Sequence, residues 1–170
     1  MPQLSTTALP APAPSHPELE ALLAGPAEDL DRWIRAAAER VDGVVERTRL
    51  VAFDAGDPRL ELRLKLENEQ VTGAFKARGA WNSVAQLDEA ERTAGVATAS
   101  SGNHGKALAW AAERAGLRAT ICMPENSYPS KIEAARAHGA EVVLTPDRRA
   151  ANAEFARRVA GGFDTAPTPS

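Results

Sequence analysis

From Gly95 onward the sequence alternates short apolar segments with segments of helical periodicity. The apolar segments are 95–100, 119–123 and 141–144, and the helical segments are 103–115, 129–138 and one that Asp147 can cap. Strands that alternate with helices in this way form parallel sheets with right-handed crossovers. The sequence therefore predicts an α/β fold, a parallel sheet flanked by helices. In such sheets ligands bind at the carboxyl ends of the strands.

Three further elements are predicted upstream of that repeat. A helix over 26–41 has an apolar face made by five residues: Leu30, Trp33, Ile34, Ala37 and Val41. The segment 60–67 alternates leucine with charged residues, which predicts a strand with its four leucines on one face. Another helix follows the Thr72-Gly73 turn and extends to about Leu87, and Gly79 inside it indicates close packing against a neighbour.

Length and composition narrow the class of protein. With 170 residues, 44% of them hydrophobic and 25% charged, the chain suits one soluble globular domain or part of a larger one. The net charge of −3, without any block of Lys or Arg, predicts neither a nucleic-acid partner nor a membrane-surface partner. Because no apolar run reaches the length of a membrane span and the amino terminus is unlike a secretory signal, a cytoplasmic protein is expected.

The termini and the single cysteine carry weaker signals. Residues 1–16 are rich in Pro, Ala, Ser and Thr, which predicts a disordered leader, and residues 161–170 predict a disordered tail. Cys122 lies in an apolar run and cannot form an internal disulfide, which fits a reducing compartment. No base or helix start is evident beside it, so a buried, unreactive thiol is expected.

The segment Ser100-Ser-Gly-Asn-His-Gly105 connects the first strand of the repeat to its helix. Small residues allow a tight bend there, and the first turn of the helix offers unpaired N–H groups that attract a carboxylate or phosphate. The same residues also fit a plain strand-to-helix turn that Asn103 caps. Since His104 has no second His or Cys at metal-binding spacing, no metal site is predicted.

Lys76 has Phe75 before it and Arg78 after it, just beyond a Thr-Gly turn. Most lysines near helix ends are solvated, and an amine with the ordinary lysine pKa of about 10.4 is a poor nucleophile at neutral pH. Burial or nearby positive charge favours the reactive neutral amine, and Phe75 and Arg78 are candidates to provide them. The residues alone leave the solvated and the reactive interpretation open.

Three segments together resemble a known family. They are KLENEQVTGAFKARGAWN, VATASSGNHGKALAWAA and ICMPENSYPSKIEAARAHGAEVVL, within a stretch from about Ile34 to Leu144. Their order and spacing resemble those of the pyridoxal-phosphate-dependent enzymes with the tryptophan-synthase-β-like fold (fold type II), above all the threonine/serine dehydratases and their serine-racemase relatives. The chain looks like the N-terminal portion of such an enzyme, since Gly161-Gly162 does not match the family's glycine-rich phosphate loop.

The resemblance implies a role for each motif residue. Lys76 corresponds to the lysine that binds the cofactor, pyridoxal 5'-phosphate, covalently and later removes the substrate's α-proton. Phe75 corresponds to the aromatic neighbour of the cofactor, and Asn103 to the asparagine that hydrogen-bonds its ring hydroxyl. The loop that receives the substrate carboxylate corresponds to five residues: Ser100, Ser101, Gly102, Asn103 and His104.

The resemblance also implies a reaction and an organisation. The reaction is β-elimination from a small amino acid, L-threonine or L-serine, to a 2-keto acid and ammonia. Residues 17–90 would form the N-terminal part of the large cofactor-binding lobe and residues 91–160 the small α/β lobe, in a chain that could assemble into a homo-oligomer. Three residues depart from the family pattern: Arg49 replaces a proline, Ala74 a serine and Lys106 a glutamine.

Two other functions stay open at this point. A β-replacement enzyme of the cysteine synthase type is less favoured, because the lysine is followed by Ala77-Arg78-Gly79-Ala80 instead of that group's Asp-Arg pair. A non-catalytic remnant, or a small anion-binding or partner-binding α/β module, is the alternative in which Lys76 is an ordinary surface amine.

Overall fold

The computed structural model describes residues 27–161, with side chains described over 29–160. The predicted leader (1–16) lies outside the described residues. So does the predicted tail, except that Gly161 ends a helix. The chain divides into two compact units between Glu39 and Arg40. Over 27–161, no helix combines the length and the apolar content that crossing a membrane requires.

The described residues form six α-helices, five strands and one 3-10 turn at Glu67–Glu69. The helices are α1 (Ala27–Val41), α2 (Lys76–Val84), α3 (Glu89–Ala94), α4 (Asn103–Ala115), α5 (Pro129–Ala137) and α6 (Arg148–Gly161). The strands are β1 (Leu50–Phe53), β2 (Leu62–Lys65), β3 (Val96–Ala99), β4 (Ala119–Pro124) and β5 (Glu141–Thr145).

Strands β3, β4 and β5 form a parallel three-stranded sheet with β4 in the centre. Val96 pairs with Ala119 across the first ladder, and Ile121 pairs with Val142 across the second. Helices α4 and α5 are the crossovers of this sheet, and α6 follows its last strand. The predicted α/β fold with a parallel sheet flanked by helices is therefore confirmed.

The central strand is buried on both faces, so helices cover the sheet on two sides. Ile121 and Met123 belong to the apolar cluster that includes the inward face of α4. Side chains alternate along a strand, and accordingly Thr120 and Cys122 face the other way. Thr120 donates a hydrogen bond to Glu141, whose carboxylate also pairs with Arg158 of α6. The sheet thus has α4 and α5 on one face and α6 on the other.

Small residues let α2 pack closely along α4. The contact is made largely by buried alanines, which is what a chain with only 5% aromatic residues needs in order to fill a core. Trp81 on α2 lies at the edge of this core, 6.2 Å from the ring of Trp110 on α4, and its Nε1 donates to Arg40 O at 2.8 Å. The packing holds the beginning of α2 near the beginning of α4.

Helix α2 is shorter than predicted, and one inference about it is wrong. It begins at Lys76 and ends at Val84, and does not span the whole stretch from Thr72-Gly73 to Leu87. Gly79 was expected to mark a close approach, but a Cβ built there would meet nothing within 4 Å. In the described part of the chain, this glycine faces open space.

The alternating segment 60–67 forms β2, which pairs antiparallel with a strand that the sequence did not predict, β1. Opposed residues of an antiparallel pair lie on one face, so Phe53, Leu62 and Leu64 form a common apolar surface. All three are exposed. Period-two alternation therefore identified the residues that share a face, and no described residue buries that face.

Helix α1 confirms the helix predicted over 26–41, from Ala27 onward. The three largest residues of its predicted apolar face, Leu30, Trp33 and Ile34, are exposed. Helical spacing defines a common face here, as alternation does in β2, without defining what packs against it.

Candidate active site

The turn after β3 is built by Ser100 and Gly105. Ser100 N–H donates to Cys122 O at 3.0 Å, which extends the ladder between β3 and β4 by one residue. Its hydroxyl oxygen accepts from the N–H of Gly105 at 3.2 Å, at the start of α4. Gly102 is the residue that precedes α4, and Asn103 is the first helical residue. The alternative in which the Asn103 side chain caps this helix is therefore wrong, because Ser100 makes the bond to the helix start.

Gly105 allows the helix to approach the strand end closely. A Cβ at this position would lie 2.6 Å from Ser100 O and 3.0 Å from Ile121 Cγ2. The first contact is too short for any Cβ and involves backbone that cannot rotate away, and the second is tight enough that the isoleucine would have to shift. The glycine therefore places the first turn of α4, with its partial positive charge, directly against the end of β3.

Lys76 is the first residue of α2 and is exposed. Its Nζ lies 5.0 Å from the centroid of the Phe75 ring, which is itself 57% exposed. A ring at this distance makes a cation–π contact with the ammonium group, and both side chains remain exposed. The expectation that Phe75 would bury the amine is therefore not met within the described residues.

His104 lies close enough to Lys76 to respond to its charge. Desolvation lowers the pKa of His104 below its ordinary value of 6.5, and the Lys76 ammonium lowers it further. Both effects favour the neutral imidazole at neutral pH. The packing of α2 along α4 thus brings Lys76 and His104, two predicted site residues, into one environment.

Arg78 does not serve as the positive neighbour of Lys76. Its Nε donates to Glu67 Oε2 at 3.0 Å and a terminal nitrogen donates to Glu67 Oε1 at 2.8 Å, a two-point ion pair. Thr48, which is buried, donates to the same Oε1 at 2.8 Å, and Arg78 also reaches Glu46 O at 3.0 Å. The guanidinium therefore joins three chain segments, and Glu67 balances its charge.

Gln70 completes this network beneath the Thr-Gly turn. Its buried side chain accepts from Glu46 N at 2.8 Å and donates to Glu46 O at 3.0 Å, as a neighbouring strand would. Its backbone oxygen accepts from Gly73 N–H at 2.6 Å, and Gly73 has a positive φ of 71° that favours glycine. These bonds fix the turn three residues before Lys76, so they set where α2 begins.

Removing the guanidinium of this network tests its contribution to stability. Arg78→Ala is expected to lower the free energy of unfolding by about 1 kcal/mol, because the pair with Glu67 is only partly buried and solvent weakens it. Urea denaturation at neutral pH measures the change. Arg59→Ala is the matched control, since its pair with Asp57 is exposed and should contribute much less. Equal losses in both variants would contradict the prediction.

The same pair predicts a pH dependence. The hydrogen bonds from Arg78 hold the pKa of Glu67 below its ordinary 4.5. A carboxylate whose pKa is lower in the folded state stabilises the fold fully above its unfolded pKa, and the contribution is lost as the pH falls through the folded pKa. The unfolding free energy of the wild-type chain should therefore decline more between pH 4.5 and lower pH than that of Arg78→Ala.

A cavity of about 220 Å³ lies at the carboxyl ends of β3 and β4. It is lined by nine residues: Ala99, Ser100, Ser101, Gly102, Cys122, Pro124, Arg148, Ala151 and Asn152. Three predicted carboxylate-binding residues thus share one cavity. Asn103, His104, Lys76 and Phe75 do not line it, so this cavity does not join Lys76 to the two serines.

Sequence reasoning missed the polar residues that reach the site from later elements. Arg148 and Asn152 enter the cavity from α6, and Lys131 of α5 donates to Asn103 Oδ1 at 3.4 Å. The position of α6 after the third strand could have identified Arg148, because ligands collect at the carboxyl ends of all strands in such a sheet. Cys122 lies at the cavity floor, and burial raises the pKa of its thiol, as expected for an unreactive cysteine.

The family of pyridoxal-phosphate dependent enzymes matches residues 41–165 of this sequence. The chain belongs to that family. The resemblance noted in the sequence and the fold type II architecture are thereby confirmed, and the family depends on pyridoxal phosphate.

Three similar proteins indicate how much of a family member this chain spans. L-threonine ammonia-lyase from Thermotoga maritima is 45% identical over 114 residues, which cover 65% of this chain and 28% of that protein. L-threo-3-hydroxyaspartate ammonia-lyase from Pseudomonas sp. is 42% identical over 118 residues, with coverage of 66% and 37%. The structure of maize serine racemase matches with a TM-score of 0.70 at 33% identity, and covers 81% of this chain and 43% of that one. The chain spans less than half the length of each relative.

The residues at this end of the sheet fit pyridoxal phosphate by their chemistry. Lys76 has an amine that would condense with the aldehyde, and the helix that it begins packs along α4. The amide of Asn103 can bond a ring hydroxyl, and it is exposed at the first position of that helix. The hydroxyls of Ser100 and Ser101 line the adjoining cavity, where a carboxylate can be bound.

Proposed function

We propose that this chain is part of an enzyme that eliminates the β-hydroxyl group from L-threonine, L-serine or a related amino acid, giving a 2-keto acid and ammonia. One observation carries the proposal: the helix that Lys76 begins packs, through Ala80 and Val84, on the helix that starts at the Ser100–Gly105 turn, which holds the two helix beginnings near each other. An amine and a carboxylate-binding turn then lie at the same end of one sheet. Relatives named L-threonine ammonia-lyase and L-threo-3-hydroxyaspartate ammonia-lyase agree with this reaction class.

Each group has a defined task in this proposal. Ser100, Ser101 and Gly102 hold the substrate carboxylate with hydroxyl and N–H donors, and the start of α4 adds its partial positive charge. That contact orients the Cα–H bond toward Lys76, whose amine removes the proton. Pyridoxal phosphate, when bound, withdraws electrons from the α-carbon. His104 stays neutral beside the amine and so does not compete for the carboxylate as a cation.

The proton and bond changes balance without a further reactant. Lys76 Nζ takes the α-proton, and the β-hydroxyl leaves with a proton as water. The enamine that is released takes up water and gives the 2-keto acid and ammonia. The net change converts one hydroxy-amino acid into one keto acid and one ammonia, with no oxidant or reductant.

Two measurements on the same reaction mixture test the proposal. The purified chain with pyridoxal phosphate is incubated with L-threonine, L-serine or L-threo-3-hydroxyaspartate, and keto acid and ammonia are quantified. Chiral chromatography of the remaining amino acid follows any D-enantiomer. Keto acid and ammonia in equal amounts support elimination.

The other outcomes are equally informative. D-amino acid without keto acid would overturn elimination in favour of racemisation, the activity in the name of the maize relative. If neither product forms while the chain still binds the cofactor covalently, the result would support the non-catalytic binding module. Formation of a β-substituted product on adding sulfide would instead support β-replacement.

A further inference from the structure

We propose that the cavity beside Ser100, Ser101 and Gly102 binds a second carboxylate, with Arg148 as its cation. The inference rests on the proposed function, because it names the substrate class of the same site: amino acids whose side chain carries an anionic group. The α-carboxylate would occupy the turn, and the side-chain anion would extend toward α6.

The position of the cavity follows from the two faces of the sheet. From the end of β3 the chain passes into α4 on one face, while α6 lies on the opposite face. Their starting residues therefore flank the carboxyl ends of the strands, and Ala99 and Pro124, the last residues of β3 and β4, close the bottom. A ligand held by the turn can extend one of its groups toward Arg148 without leaving this space.

The lining of the cavity is suited to an anion. Arg148 contributes a guanidinium, Asn152 an amide one helical turn later, and Ser101 a hydroxyl from the opposite rim. No Asp or Glu is among the nine lining residues. Cys122, Ala99 and Ala151 make the floor apolar, and a low-dielectric floor strengthens attraction between a cation and an anion above it. At about 220 Å³ the space is ample for a carboxylate and a short carbon chain.

Arg148 differs from Arg158, on the same helix, in its ion pairs. Arg158 bonds Glu154 and Glu141. Among the side chains described over 29–160, Arg148 has no ion pair with a carboxylate. It is also the first residue of α6, where the positive end of the helix disfavours a cation, and the carboxylate of the preceding Asp147 accepts from Ala150 N–H. An anion in the cavity would pair with the guanidinium of Arg148.

Comparison with Arg149 distinguishes a defined subsite from a general attraction of anions to this end of α6. It is the next residue of the same helix turn and is also exposed, but it does not line the cavity. Attraction of anions by the general positive charge at this end of α6 would involve both arginines alike. A defined subsite involves Arg148 alone.

Binding of succinate to the chain, measured by calorimetry without pyridoxal phosphate, tests the proposal. Succinate carries two carboxylates on four carbons, and butyrate, with one carboxylate on the same number of carbons, is the comparison ligand. We expect succinate to bind at least about tenfold more tightly than butyrate, the effect of one charge-assisted hydrogen-bond pair. Arg148→Gln should remove this difference, Arg148→Lys should retain part of it, and Arg149→Gln should leave it unchanged.

The controls separate this proposal from folding and from the proposed function. Thermal melting of both glutamine variants checks that the fold is intact, which their exposure at the helix start predicts. Equal affinity for succinate and butyrate in the wild-type chain, or equal loss in both glutamine variants, would overturn the subsite. If the subsite is found but no keto acid is formed in the activity assay, elimination fails and the second carboxylate site stands.

Discussion

Lys76→Ala is expected to abolish the covalent adduct between this chain and pyridoxal phosphate. A Schiff base with the aldehyde requires an amine, and Lys76 begins the helix that packs along α4, at whose start the cofactor ring and the substrate carboxylate are proposed to bind. The wild-type chain should develop a visible absorbance band with pyridoxal phosphate, and reduction with borohydride should make the label permanent. Mass mapping of the reduced peptides then locates the label at position 76.

Lys131→Ala is the matched control for that experiment. Lys131 is a second lysine whose side chain contacts a site residue, since its Nζ bonds Asn103 Oδ1, and it carries the same reactive group. Its variant should keep the absorbance band and the label at Lys76. A label at Lys131, or a band that persists in Lys76→Ala, would contradict the assignment of Lys76 and support a surface-amine interpretation.

The parallel part of the fold could be predicted from sequence because its signals are local. Helix α4 has the predicted limits of 103 and 115, and Gly116 after it has the left-handed conformation that ends helices. Asp147 caps α6 as expected, by accepting from the N–H of Ala150 at 2.7 Å. A strand that is buried on both faces is a continuous apolar run, so it can be recognised without knowing its partner strands.

Helix α3 and strand β1 were not predicted from the sequence, each for a different reason. Helix α3 has a capping box between Asp88 and Glu91, and this Asp-x-x-Glu spacing is by itself a signal of a helix start. Strand β1 has no alternation of its own, and its existence depends on pairing with β2, which follows it after residues 54–61. A strand that depends on its partner in this way leaves little trace in its own sequence.

The sequence predicted only those parts of the candidate site that lie within short motifs. The turn at Ser100–Gly105 and the neighbouring Lys76 each carry a short motif, and the structure brings Lys76 and His104 together through the packing of α2 on α4. Arg78 was placed near the amine because it is two residues away, but helical geometry turns it toward Glu67 instead. Arg148 reaches the cavity from an element nearly fifty residues later, and only the topology of the sheet reveals its place.

Gly105→Ala is expected to lower the free energy of unfolding by about 1–3 kcal/mol, the usual cost of forcing an extra carbon into a packed site. The new Cβ would lie 2.6 Å from Ser100 O, and relief requires the start of α4 to move away from the end of β3. That movement would also lengthen the bond from Gly105 N–H to the Ser100 hydroxyl, so amide exchange at position 105 should accelerate. Urea denaturation and hydrogen exchange measure the two effects.

Gly79→Ala is the control, and we expect it to raise the free energy of unfolding. Gly79 lies in the interior of α2 without a positive φ, and a Cβ there would meet nothing within 4 Å. Alanine restricts the unfolded chain and favours the helix, so this variant should gain about 0.5–1 kcal/mol. If Gly105→Ala were as stable as the wild type while Gly79→Ala gained stability, α4 could not be in close contact with the end of β3. The turn would then lack the rigid geometry on which carboxylate binding beside Lys76 depends.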